Sequence, residues 1–117
     1  MSDLTPELAE LIARRFAVLG DTTRVRVLDA LHEREEASVG ELATAVQATH
    51  ANVSRHLNVL LAERLVARRR EGPRALYRIT DPTLMRLCEE VCAGVRQNLQ
   101  ELQALVAVPT GSQETTT

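Results

Sequence analysis

A mainly α-helical fold with one small β-hairpin is what this sequence predicts, on three observations. The first is the stretch Thr49–Leu61, which reads as a helix with two faces. Val53, Leu57, Leu60 and Leu61 recur at helical spacing as an apolar stripe. His50, Asn52, Ser54, Arg55 and Asn58 occupy the other face, with hydrogen-bonding groups long enough to reach base edges or phosphates. The second is the surroundings of that helix. A shorter amphipathic helix, Val39–Val46, and the break Gln47-Ala48-Thr49 precede it, and a strand, an Arg-rich turn and a second strand follow. The third is a long C-terminal helix with a heptad seam. Helix, tight turn, polar-faced helix and basic hairpin form the order of a winged helix-turn-helix, in which the second helix of the pair reads. Five helices and a two-stranded wing are expected, the terminal helix serving dimerisation.

With 117 residues, 44% of them hydrophobic, the chain is one domain with an ample core. Nearly all of that core is Ala, Val and Leu, because there is one Phe, one Tyr and no Trp. No apolar run is long enough to span a membrane. The acidic start (Asp3, Glu7, Glu10) has no basic segment leading into an apolar one, so no secretory signal is read. A cytoplasmic protein is expected, with Cys88 and Cys92 reduced. The net charge of −2 hides a strong asymmetry. From His50 to Arg78 there are seven arginines against Glu63 and Glu71, and the remainder is acidic. All fourteen basic residues are Arg, a side chain suited to bidentate phosphate and guanine contacts.

Residues 1–4 are expected to be flexible, 5–107 to form the domain and 108–117 a disordered tail of polar, low-complexity sequence. Thr5-Pro6 is a cap-plus-proline start for a helix to about Val18. After Gly20, Asp21 caps a second helix, Thr22–His32, with Val25, Val27, Leu28 and Leu31 as its apolar positions. The run His32–Ala37 reads as a charged connector. Ser38 with Glu41 forms a capping box that opens the third helix. The fourth helix ends near Arg64. Val66–Arg70 and Ala75–Thr80 then form a hairpin around Glu71-Gly72-Pro73-Arg74, with Arg68, Arg70, Arg74 and Arg78 exposed. Asp81-Pro82 starts the longest helix, Thr83 to about Val106. Along it Met85, Cys88, Cys92, Val95, Leu99, Leu102 and Val106 step alternately by three and four, an unbroken a/d seam. That seam, helped by the first helix, is the expected dimer interface.

The candidate DNA-binding residues are Thr49, His50, Asn52, Ser54, Arg55 and His56 on the fourth helix and Arg70 and Arg74 on the wing. Arg55 is the base reader, since a guanidinium bonds guanine O6 and N7 together. Ser54, Thr49 and Asn52 fix register on phosphates. His56, one residue before core Leu57, reads equally as a buried structural histidine or a DNA ligand. Cys88 and Cys92 lie on the seam, where each reads either as a small hydrophobe or as half of a thiol sensor. Positions i and i+4 share a helix face, with β-carbons about 6 Å apart, too far for an unstrained disulfide. Oxidation would therefore distort the helix or link subunits, and a soft ion such as arsenite is the alternative thiol partner. No His, Cys or carboxylate cluster with metal-ligand spacing is found, and no cofactor is implied.

Asp21–Leu28 (DTTRVRVL), Val39–Ala43 (VGELA), Val53–Leu57 (VSRHL) with Leu60, Leu65-Val66, Arg70–Gly72 and Tyr77 resemble the ArsR/SmtB family of bacterial winged-helix repressors, over about residues 8–106. The resemblance implies a homodimer on a palindromic operator, released when a metal or another signal acts. Two departures matter. Val39–Ala43 lacks the Cys-x-Cys of the metal-binding members. Asp81 is present, but Pro82–Val106 lacks the histidines of the zinc-sensing ones, so neither family metal site is supported. Arg64 stands where the family has Gly, a position that costs about 1 kcal/mol if left-handed. The competing reading is a winged-helix interaction module without DNA binding. An enzyme is not indicated, because no nucleophile–base pair, phosphate loop or carboxylate pair is present.

Overall fold

The computed structural model describes residues 3–110, with side chains through residue 106. Residues 108–110 of the expected disordered tail continue the last helix; the tail from 111 onward lies outside the described residues, as do Met1 and Ser2 of the N-terminal segment expected to be flexible. The elements are α1 (Pro6–Leu19), α2 (Thr22–Arg34), α3 (Val39–Val46), α4 (His50–Ala62), β1 (Val66–Glu71), β2 (Arg74–Ile79) and α5 (Pro82–Thr110). Residues up to Asp81 form one compact unit and those from Pro82 another. This is the winged helix-turn-helix that the sequence predicts.

The helix starts are set by the side chains read from the sequence. Thr5 accepts from the Leu8 N–H and Asp21 from the Arg24 N–H. Ser38 and Glu41 complete the capping box at α3, with bonds of 2.8 and 3.2 Å. The helix ends are set differently. Glu35, Gln47 and Arg64, which close α2, α3 and α4, all have positive φ, of 67°, 56° and 60°. None is glycine, so each end carries left-handed strain that glycine would relieve. The left-handed Arg64 is the conformation that the family's glycine position implies.

The core of the first unit is aliphatic apart from Tyr77 and comes from every element, with α1 contributing only Val18. Val27, Leu28 and Leu31 of α2 meet Leu42 and Val46 of α3 and Val53, Leu57 and Leu60 of α4, all nearly or fully buried. Val25 is instead exposed: two positions from Val27 lies on the far side of a helix. Leu65 and Val66 close the core beneath the hairpin.

The strands pair antiparallel from Val66↔Ile79 to Glu71↔Arg74. The turn is therefore tighter than expected, two residues rather than four. Gly72 has a φ of 60° at its first central position, as a type II′ hairpin turn requires. The charged run before α3 is also more ordered than a connector. Helix α2 continues to Arg34, and buried Ala37 forms a short bridge to Tyr77, exchanging bonds of 3.0 and 2.8 Å. Arg69 reinforces this attachment with a bidentate pair to Glu36, both bonds 2.7 Å.

The second unit is α5. Its seam carries half-buried Met85 and Cys88 at the N-terminal end, then exposed Cys92, Val95, Leu99, Leu102 and Val106. Helix α1 likewise leaves Leu8, Leu11 and Phe16 exposed. No helix among the described residues is long and apolar enough to cross a membrane.

Candidate nucleic-acid interface

The helix pair α3–α4 turns in the three residues Gln47–Thr49, closed by the left-handed Gln47 and by the Ala48 N–H donating to the Ala43 carbonyl at 3.0 Å. Thr49 then caps α4, its hydroxyl oxygen accepting from the Asn52 N–H at 3.1 Å. That leaves the Thr49 O–H free to donate outward. Exposed His50 begins α4 and its ring lies over Gly40 of α3. A β-carbon at Gly40 would stand 3.3 Å from His50 Cε1, so the glycine makes room for the ring.

Arg55 is exposed, and its Nη2 donates to Asn52 Oδ1 at 2.6 Å. The two side chains form one outward-facing unit a turn apart. Ser54 is half-buried beside it and Asn58 is exposed. The structure thus brings Thr49, His50, Asn52, Ser54 and Arg55 to one helix start and its outer face.

His56 does not join them. It is 2% exposed, on the core stripe with Val53, Leu57 and Leu60. This corrects its inclusion among the DNA-binding candidates and resolves the alternative in favour of a structural histidine. The stripe spacing, i, i+3, i+4 and i+7, was readable in the sequence. Its ring Nδ1 lies 3.3 Å from Arg24 Nη1, and its Nε2 lies 3.8 Å from Asp21 Oδ1. Burial pushes its pKa below the ordinary histidine value, against the pull of Asp21 and with help from Arg55 and Arg24. Arg24, which sequence reasoning missed, also donates from Nε to the Val18 carbonyl at 2.7 Å. A buried histidine needs a polar partner, and that was the available signal.

The wing arginines divide by what already holds them. Arg69 is committed to Glu36 and Glu71, and the bond from Arg69 holds the Glu36 carboxyl below the usual range. Arg74, at the start of β2, has only loose neighbours, Glu71 at 3.6 Å and Glu41 at 3.9 Å. Arg68, Arg70 and Arg78 are exposed and form no ion pair among the described residues. Exposed pairs of this kind are worth about 0–1 kcal/mol, so Arg74 gives up these carboxylates at little cost.

Among the described residues no group of three or more His, Cys, Asp and Glu could hold a metal ion. Asp81 is already paired with Arg15 at 2.8 Å. Both cysteines are free. Burial, with the Glu89 carboxylate, pushes the Cys88 thiol up, away from a reactive thiolate at neutral pH.

Known proteins resemble this chain in sequence and in shape. The profile described as bacterial regulatory protein, arsR family, matches residues 21–68. A transcriptional repressor SmtB homolog of Synechocystis sp. is 34% identical over 90 residues, 77% of this chain and 67% of that protein. The AntR antimony-specific transcriptional repressor has a crystal structure that superposes with a TM-score of 0.77 at 32% identity, over 84% of this chain and 88% of that one. The homodimeric winged helix-turn-helix DNA-binding domain of a Mycobacterium bovis protein superposes at 0.72 with 32% identity, over 85% and 91%.

Proposed function

Because the chain belongs to the arsR family of bacterial regulatory proteins, DNA-binding transcriptional regulators of winged helix-turn-helix fold, we propose that it is a homodimeric repressor of a palindromic operator. The observation that carries this reading is the outward Asn52–Arg55 unit on α4, followed in the chain by a hairpin whose Arg70 and Arg74 are exposed. A helix presenting such groups enters a major groove, and an Arg-bearing wing follows the adjacent backbone or minor groove. Arg55 reads a base. Thr49, His50, Asn52 and Ser54 set register on phosphates. Arg70 and Arg74 hold the flanking strand.

A second copy covers the apolar residues that one chain leaves in water, the seam Val95, Leu99 and Leu102 with Met85, Cys88 and Cys92 at its head. Two copies set two reading helices about one DNA turn apart. Cytoplasmic residence follows from this role.

The test is selection of a duplex from a random-sequence library by the purified protein. A palindromic consensus bound with a salt dependence of several phosphate contacts is expected. Failure to enrich any duplex supports the interaction-module alternative instead.

We further propose that the releasing signal acts on Cys88 and Cys92 at the seam, by oxidation of the thiols or by a soft, thiophilic metalloid held by thiolates of both subunits. Thiolates favour such ions, and AntR, to which the chain is similar, is an antimony-specific repressor. Trivalent antimony or arsenite is expected to release the selected duplex from wild type and not from the Cys88→Ser/Cys92→Ser variant, read by fluorescence anisotropy. Equal behaviour of the two proteins assigns the cysteines to packing.

A further inference from the structure

We propose that Arg24 and His56 are the positioning pair of the reading helix, a hydrogen-bonded bridge that fixes the rotation of α4 and with it the aim of Arg55. The inference rests on the repressor reading above and adds residues that touch no DNA. The bridge has three attachments. Arg24 Nε donates to the Val18 carbonyl near the end of α1, at 2.7 Å. The Arg24 N–H donates to Asp21 Oδ1, the cap of α2, at 3.0 Å. Arg24 Nη1 reaches His56 Nδ1 of α4 at 3.3 Å. The guanidinium thus links α1 and α4 through Val18 and His56, while the backbone bond to Asp21 fixes Arg24 itself at the start of α2, behind the face that carries Asn52 and Arg55.

The chemistry assigns the tautomer. A guanidinium has donors only, so His56 Nδ1 accepts and the ring proton sits on Nε2, toward Asp21 Oδ1 at 3.8 Å. The bond is directional, whereas the packing of Val53, Leu57 and Leu60 around it is not. Aliphatic contacts tolerate a small rotation of the helix; the Arg24–His56 bond does not. Arg55 is the residue next to His56, so any rotation at the ring appears directly in the aim of the reading side chain.

The bridge exists only while His56 is neutral. A protonated Nδ1 would point a donor and a positive charge at Arg24. The charged groups that face the ring are Asp21 and Arg24 from α2 and Arg55 from α4 itself, and Asp21 alone favours the cation. The folded pKa lies below the ordinary value of about 6.5. The stabilisation is thus complete above that value and is lost as pH falls through the lower folded one.

The experiment compares wild type, Arg24→Gln and His56→Asn on the selected duplex and on a scrambled one. Arg24→Gln is expected to lose about tenfold on the selected duplex, the worth of one hydrogen bond to a charged group. It keeps its scrambled-duplex affinity, which phosphate contacts supply. In His56→Asn the amide oxygen takes the place of Nδ1 and accepts at every pH. As pH is lowered below the ordinary histidine value, over the range in which both proteins stay folded, the ratio of wild-type to His56→Asn affinity is therefore expected to fall. His32 and His50 are present in both proteins, so the ratio isolates position 56. A ratio that stays flat, or an Arg24→Gln protein that loses both duplexes equally along with its melting temperature, overturns the proposal. A wild type that enriches no duplex overturns the repressor reading itself.

Discussion

Replacing Arg55 by alanine is expected to weaken binding to the selected duplex by about 1–3 kcal/mol and to flatten its base preference at one position in each half-site. The side chain is exposed and, among the described residues, bonded only to Asn52, so its loss leaves the core of α4 untouched and the melting temperature unchanged. The Asn52 contact matters to the size of the effect. A guanidinium held at 2.6 Å by its neighbour has already lost part of its rotamer freedom before DNA arrives, which lowers the entropy cost of the contact. Asn52→Ala is correspondingly a weaker version of the same lesion. Repeating the duplex selection with Arg55→Ala checks the assignment. An unchanged consensus would show that another side chain reads the base.

Introducing a carboxylate by Leu99→Asp is expected to have a larger effect, because it acts on both reading helices at once. Leu99 is 51% exposed in the single chain, so the chain itself folds with the new charge in water. In the proposed dimer the same change places two like charges in an apolar seam, where an unpaired charge is strongly disfavoured. Sedimentation is expected to show monomers at concentrations where wild type is dimeric. Affinity for the full palindrome falls by about 10²–10⁴-fold, since the second half-site is no longer delivered by the first. A Leu99→Asp protein that remains dimeric would remove the seam from the interface.

Local chemistry made much of this fold legible in the sequence. Thr5, Asp21, Ser38 with Glu41, and Thr49 cap their helices through side chains that act within a few residues. The elements they start were therefore predictable to a residue or two. What escaped prediction depends on residues distant in the chain. The Ala37–Tyr77 bridge and the Glu36–Arg69 pair join segments more than thirty residues apart, so a run rich in Glu looked like a plain charged loop. The same holds for the wing: composition counts its arginines but does not tell the committed Arg69 from the loosely paired Arg74. His56 is the intermediate case. Its place on the buried stripe follows from helical period alone, but its partner Arg24 lies on another helix.

The bridge at Tyr77 also gives the protein a built-in optical probe. Tyr77 is the only tyrosine, and there is no tryptophan. Its ring is buried where β2 meets the segment before α3. Excitation in the near ultraviolet therefore reports on a single place, the root of the wing, with no second emitter to subtract. Detachment of the hairpin from the helices would appear as a change in tyrosine emission and near-ultraviolet dichroism while far-ultraviolet helix signal persists. Melting of the whole unit would move all three together, so the order in which wing and helices come apart is readable without a label.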